Sequence, residues 1–346
     1  MVVPIPGRGT GQEPSVEQSG PGVKYNAAVV VPVSAKQSRF LRDSPGSSTG
    51  DGARGMADAE HVRRPSLFRR ALALFGWTRS SSVLLGGFFL LCGLIVYIWW
   101  PLAQEALAYV NWSGPWWLYM DWLLLGLFAF MSLTIMARAN LGRDALIVFV
   151  GMCGGLVIES WGTQTNLWHY FTAERPPLWI IPAWPIASLS IDRITRILNW
   201  GVKRLNTKDT MGLKGKTLET FVPFVFKFFY WAIFIGFYGL MLYFVAPTFG
   251  KSYTVMALLL VALLTLTPTD HRYAVLTFLA GAGLGYFLEL WGTTRQCWTY
   301  YTFQTPPFFA VLAHGMAAVA FWRAGLVVKM VLEKLKVLVP IKAKSA

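Results

Sequence analysis

Apolar residues in this chain do not alternate at a strand or amphipathic-helix period; they come in long unbroken runs. Ser82–Trp100 ("SVLLGGFFLLCGLIVYIWW") carries no charge and is long enough to cross a bilayer as a helix. Similar runs follow at roughly 116–137, 145–161, 178–198, 221–246, 253–268, 274–291 and 307–328. The fourth is the least uniform: its apolar part ends at Asp192, and Pro182 and Pro185 predict a kink. The pattern therefore predicts an all-α, polytopic membrane helical bundle of about eight transmembrane helices. Residues 1–65 are different, rich in Gly, Pro, Ser and charge, and read as a disordered basic N-terminal segment. Met56 ("MADAEHVRRPSLFRR") is a natural start, which would make the first 55 residues an over-long and dispensable gene model. Ser66–Trp77 reads as a short basic amphipathic helix on the membrane surface. No cleavable signal peptide is evident, because the first apolar run is itself a full span.

Composition sharpens this. Of 346 residues 55% are hydrophobic and 14% charged, against about 25% charged in soluble domains. The net charge of +14 suggests nucleic acid until its placement is examined. Eleven Lys and Arg precede residue 80, and most others fall in every second loop: Arg138 and Arg143, then the stretch from Arg193 to Lys216, then Arg272. The remaining loops hold Arg175, Lys251 and Arg295. That bias orients a membrane protein with both termini cytoplasmic, in the inner (plasma) membrane, and excludes nucleic acid as the partner. Cys92, Cys153 and Cys297 lack any CxxC spacing and form no disulfide framework.

Two segments repeat. "ESWGTQTNLWHYFTAERPP" begins at Glu159 and "ELWGTTRQCWTYYTFQTPP" at Glu289, 130 residues later. At the same offset Gly151 matches Gly281, Gly155 matches Gly285, Ala183 matches Ala313, Ala187 matches Ala317 and Arg193 matches Arg323. A duplication of a four-span unit accounts for an ungapped match of this kind. Residues 66–205 then hold the surface helix and first repeat, and 206–346 the second repeat and a basic C-terminal tail. An even number of spans makes the repeats parallel, related by a pseudo-two-fold axis along the membrane normal. The motifs fall at the outer ends of the third and seventh spans.

The Gly-x-x-x-Gly-x-x-x-Glu spacing puts two glycines and the acid on one helix face. Small residues four apart let helices approach closely in lipid. Glu159 and Glu289 are thus expected to face each other near the axis as one coupled site, where one carboxyl can stay protonated and donate its proton. A plainer reading stands beside this one. Each Glu lies three residues before Gly162 or Gly292, expected helix ends, and can simply accept a hydrogen bond from an indole or a loop amide. Trp161, Trp168 and Tyr170, with Trp291, Trp298 and Tyr300, are either substrate-facing or an interfacial aromatic belt. His314, opposite Trp184 at the offset, is either a helix–helix hydrogen bond or a proton partner of Glu289. Asp121 and Lys251 occupy matching outer-surface positions, Asp270–Arg272 read as a solvated turn, and Arg193 and Arg323 as cytoplasmic anchors. Walker, HExxH and GxSxG motifs are lacking, four histidines are too scattered for a di-iron oxygenase, and no acidic cluster suits magnesium on a diphosphate. No metal or cofactor is expected.

Glu-x-Trp-Gly-Thr followed by Trp-x-Tyr-x-Thr, over Glu159–Thr172 and Glu289–Thr302, resembles bacterial and archaeal membrane carotenoid hydratases, proteins related in design to membrane lycopene cyclases. Where that family has Gly and Phe between the Thr and the Tyr, this chain is Trp-rich. The resemblance implies acid-initiated attack on an isoprenoid double bond with Glu159 or Glu289 as proton donor, a hydratase- or cyclase-like lyase or isomerase chemistry. The expectation is an integral membrane enzyme modifying an isoprenoid or other apolar lipid. The alternatives are a proton-coupled transporter or permease and a non-catalytic membrane assembly subunit. On the predicted topology, cysteines introduced at Thr165 and Thr294 react with a membrane-impermeant reagent from outside; reaction from the cytoplasmic side alone overturns it.

Overall fold

The computed structural model describes residues 75–209, 215–267 and 270–338. The N-terminal segment, the Met56 start, most of the surface helix and the C-terminal Lys342 and Lys344 lie outside the described residues. The described residues are helical almost throughout, in the order α1 (Arg79–Ile98), α2 (Trp100–Ala108), α3 (Trp122–Met136), α4 (Leu141–Gln164), α5 (Ala183–Asp209), α6 (Gly215–Val245), α7 (Ser252–Thr265), α8 (His271–Thr294) and α9 (Phe308–Leu338). Two three-residue strands, β1 (Trp168–Tyr170) and β2 (Trp298–Tyr300), interrupt the series.

Five stretches are long and apolar enough to cross a membrane: α1, α4, α8, Val222–Thr248 and Phe308–Leu335. Their outward faces carry large exposed apolar side chains such as Phe89, Leu90, Tyr97 and Ile235, with Met256 and Leu259 on α7. A soluble monomer does not leave so much apolar surface bare. The chain is an all-α, multi-pass membrane bundle.

Three expected spans have a different form. α3 has 15 residues and α7 has 14, about 21–23 Å of helix against a hydrocarbon core of about 30 Å. α3 starts late because Asp121 adopts a non-helical N-cap conformation and accepts the Leu124 N–H. A 3₁₀ turn at Trp116–Tyr119 lies ahead of it. The fourth run becomes α5, whose first residues are Ala183, Trp184 and Pro185. Pro185 therefore sits in the first turn, where its missing N–H leaves no broken bond, and starts the helix instead of kinking it. Asp270 is exposed and caps α8, accepting the Tyr273 N–H at 2.9 Å, while His271 and Arg272, expected in the same turn, lie inside the helix.

α8 is the most enclosed of the five long apolar helices. It packs along α9 and also against α5 and α6, while α4 lies between α5 and α9 and α3 packs on α5. One apolar cluster joins α1, α3, α5 and the near side of α8 through Phe88, Trp99, Met131, Leu189 and Leu284. A second joins α6, α7, α8 and α9 through Phe234, Phe237, Leu258, Phe278 and Val319.

Arg193 is not a surface anchor. Its guanidinium donates to Asp144 at 2.6 Å and to Asp192 at 2.7 Å, with Asp144 fully buried and Arg193 nearly so. Asp192 also accepts from Arg196. Charge on α5 is thus neutralised inside the bundle, which is how so polar a helix packs against α3 and α4.

Thr165 is buried, so the topology labels belong at the exposed Glu174 and Gln304 instead. Arg193→Met removes the buried cation of Asp144 and leaves its carboxylate, as cation, only the half-exposed Arg143 at 3.6 Å. We expect a loss of about 3–5 kcal/mol, read as a fall in Tm of the detergent-solubilised protein. Asp144→Leu with Arg193→Met recovers most of it.

Candidate active site

The site begins where α4 and α8 end. Neither helix stops at its glycine: α4 runs on to Gln164 and α8 to Thr294. Both finish in the same way. Asn166 and Gln296 take left-handed conformations at φ 61° and 55°. The Leu167 N–H returns to the Gly162 carbonyl at 3.0 Å and the Cys297 N–H to Gly292 at 2.9 Å. The Asn166 and Gln296 N–H groups bond to Thr163 and Thr293. This is a Schellman close with Asn or Gln where glycine is commoner. The threonine hydroxyls are satisfied within the helix, Thr163 on the Glu159 carbonyl at 2.6 Å and Thr293 on Glu289 at 2.5 Å.

The close turns the chain back over its own helix. Gly162 and Gly292 serve that return: a Cβ on Gly162 would lie 1.8 Å from the Trp168 ring, and one on Gly292 2.0 Å from Trp298. With the rings so seated, Trp168 Nε1 donates to Glu159 Oε2 at 3.1 Å and Trp298 Nε1 to Glu289 Oε2 at 2.9 Å. Two residues on, Tyr170 and Tyr300 donate their hydroxyls to Glu159 Oε1 and Glu289 Oε1, each at 2.9 Å. Burial first, and then the neighbouring carboxyl, raise both phenols well above their usual range, so they remain O–H donors.

A third partner comes from the next helix. Trp184 Nε1 donates to Glu159 Oε1 at 3.1 Å, and His314 Nε2 lies 2.9 Å from Glu289 Oε1. Gly155 and Gly285 make room for them, since a Cβ at either would come within 2.4 Å of Trp184 or His314. Both acids are almost completely enclosed, Glu159 at 3% and Glu289 at 2% exposure.

The two assemblies interlock. β1 and β2 pair antiparallel with Trp168 opposite Tyr300 and Tyr170 opposite Trp298, a register that maps onto itself when the two copies are exchanged. Across it Trp168 lies 5.8 Å from Tyr300 and Tyr170 lies 5.9 Å from Trp298, centroid to centroid, while Trp184 and His314 stack at 5.9 Å. Both carboxyls open on one cavity of about 530 Å³. Away from them its walls are apolar, including Phe149, Val157, Leu260, Phe321 and Val327.

Of the nine residues singled out in the sequence, Glu159, Trp168, Tyr170, Glu289, Trp298, Tyr300 and His314 converge. Trp161 and Trp291 do not bond to either acid. Trp161 donates to Thr254 at 3.1 Å and Trp291 to Asp121 at 2.8 Å, so each fastens its motif to the start of a helix from the other half of the chain. Trp161 still borders the cavity. Asp121 and Lys251 belong to the same fastening: Asp121 also receives Arg295 at 3.0 Å, and Lys251 donates to the Gln164 carbonyl at 3.2 Å. Trp184 was missed as a ligand of Glu159. Its signal was there, since it is the offset partner of His314, but an indole amid apolar residues reads as packing.

Burial pushes the Cys297 thiol up to about 12, far from nucleophilic character. Among the described residues no three His, Cys, Asp or Glu side chains gather as a metal site.

Fold and site together define a helical membrane protein that buries two hydrogen-bonded carboxyls at the end of an apolar cavity. Comparison with protein-family models, with curated proteins and with solved structures returned no match.

Gly292→Ala should displace the Trp298 indole from Glu289. We expect about 1–3 kcal/mol of destabilisation together with a change in tryptophan fluorescence. Gly283→Ala, with open space at its Cβ position, serves as the control and leaves the spectrum unchanged.

Proposed function

We propose that this protein is an integral membrane enzyme that transfers a proton to an unsaturated apolar lipid of the isoprenoid type, using the paired Glu site as acid. The observation that carries the reading is the cavity: two buried carboxyls at one end, and an apolar channel beyond them. From Glu159 back to Phe149 on α4, and from His314 forward to Val328 on α9, the lining extends for about 15–20 Å of helix. That is a slot for a long hydrocarbon chain with its reactive bond at the polar end.

Access supports the same substrate class. Phe149, Val157, Leu260 and Val327 line the cavity and are also exposed on the apolar flank of the bundle. A lipid can enter sideways from the bilayer without crossing water. The site chemistry suits a cationic intermediate. The indole N–H and phenol O–H groups point at the carboxyls, which leaves ring faces on the cavity, and an aromatic face attracts a cation. A fixed carboxylate beside a developing positive charge lowers the barrier further.

This reading includes eight spans arranged as two parallel repeats in the inner membrane, with both termini cytoplasmic. The self-matching β1–β2 register and the equivalent donor sets around the two acids support the duplication. It also includes the likeness to carotenoid hydratases, supported by a motif whose Glu, Trp and Tyr meet around one carboxyl. A proton-coupled transporter needs polar groups along a path to both surfaces, and the described cavity lining is apolar away from its acidic end.

The test is lipid and pigment profiling by mass spectrometry of a deletion strain restored with wild-type or Glu289→Gln protein. Wild type should restore a hydrated or isomerised isoprenoid. Glu289→Gln, which keeps the shape and removes the acid, should lower it roughly 10²–10⁴-fold while its precursor accumulates. Identical profiles for the deletion and wild-type strains overturn the assignment.

A further inference from the structure

The two motif copies agree in every ligand of their carboxyls except one, and that exception replaces a donor-only indole with an imidazole that can donate or accept. We propose that the copies have diverged in function: Glu289 and His314 form the proton-transferring pair, and Glu159 is a fixed acceptor that steadies the cationic intermediate. This rests on the enzyme reading above for its substrate, but the pair itself can be tested without one.

Around Glu159 the contacts run one way. Tyr170 and Trp184 donate to Oε1 and Trp168 donates to Oε2. An indole N–H has no acceptor to offer, so the Trp184 contact requires an oxygen lone pair on Glu159. The geometry is that of a clamped acceptor. Around Glu289, Trp298 and Tyr300 repeat the first two contacts, but Trp184 is replaced by an imidazole. His314 Nε2 at 2.9 Å can donate to a Glu289 carboxylate or accept from a Glu289 carboxylic acid, and the proton moves between them without displacement of a heavy atom. The His314 side chain retains 20% exposure where Glu289 has 3%, and it borders the cavity. The pair therefore joins an enclosed acid to a ring that faces the cavity.

The titratable groups facing the pair are Glu159 from α4 and Tyr170 and Tyr300 from the strand ribbon. The neighbouring elements α5, α6 and α7 present Trp184, Phe244 and Leu258 there. The Trp184 ring stacked on His314 holds the imidazole in plane.

The chemical sequence then balances. The O–H bond of Glu289 breaks as its proton bonds to one carbon of the substrate double bond, and the π pair forms that C–H bond. The adjacent carbon becomes cationic, facing the Glu159 carboxylate and the aromatic rings. It then loses a proton from a neighbouring carbon, giving a shifted double bond, or takes a lone pair from water, whose surplus proton leaves. In both cases that proton returns to the Glu289–His314 pair, and no oxidant or reductant is consumed.

Infrared difference spectra of the full chain in membranes test the assignment. The band of a protonated buried carboxyl should vanish in Glu289→Gln and persist in Glu159→Gln. His314→Gln should move the frequency of that band, because the ring that accepts from Glu289 is replaced by an amide. Loss of the band in Glu159→Gln, or no movement in His314→Gln, overturns the proposal. In the exchange variant Trp184→His/His314→Trp, dependence of product formation should pass from Glu289 to Glu159; continued dependence on Glu289 also overturns it. If the exchange variant does not fold, the near-isosteric Gln variants decide alone. The expected infrared pattern without any change in lipid profile supports the pair and removes the substrate reading.

Discussion

A carboxyl placed inside a membrane protein must be surrounded by hydrogen-bond donors, because an unpartnered one costs several kcal/mol in a low-dielectric interior. This chain meets that demand twice, and the solution dictates the local structure. The donors for Glu159 come from nine, eleven and 25 residues further along the chain. To bring them back, the helix must close just after Thr163, the next segment must extend for three residues, and the following helix must start beside the glycine face. Gly155 and Gly162 are where the returning aromatic rings touch the helix. The motif describes a carboxyl and its enclosure as one unit.

Two such units then hold each other. Their extended segments pair as β1 and β2, their aromatic rings alternate across that pairing, and Trp161 and Trp291 reach over to the opposite half. Neither enclosure is complete alone, since Trp168 lies against Tyr300 and Trp184 against His314. The apolar cavity is bordered at one end by Trp168, Tyr170, Trp298 and Tyr300 of this ribbon.

Equivalence is close at that end and fades toward the other end of the bundle. Asp144 and Arg193 form a buried ion pair, whereas the offset position of Asp144 is Ala274. Arg323 instead donates to Thr267 at 3.1 Å. The Asp144 carboxylate that pairs with Arg193 thus has no counterpart at the offset position. Trp184 and His314 can also differ, because both residues can supply one N–H to a carboxylate oxygen.

Membrane character, helical class and the recurrence of Glu159 and Glu289 at equivalent positions were legible in the sequence. Uncharged runs of some twenty residues admit few other structures, and an exact offset between two motifs is a property of the string itself. The polar aromatic residues of the motif were legible as a set, but not as ligands. Whether Trp168 faced lipid headgroups or a carboxyl depended on how the chain turned after Thr165, and that turn rests on left-handed Asn166 and Gln296, residues with no strong local signal. The helix ends were misplaced for the same reason: Gly162 and Gly292 look like terminators, yet their missing side chains serve contact with a ring that arrives later. Arg193 read as a surface cation because its partner Asp144 lies 49 residues away. Local pattern reports what a segment can be, while the partner of a buried polar group is set by which distant segment is packed against it, and tertiary structure alone decided that.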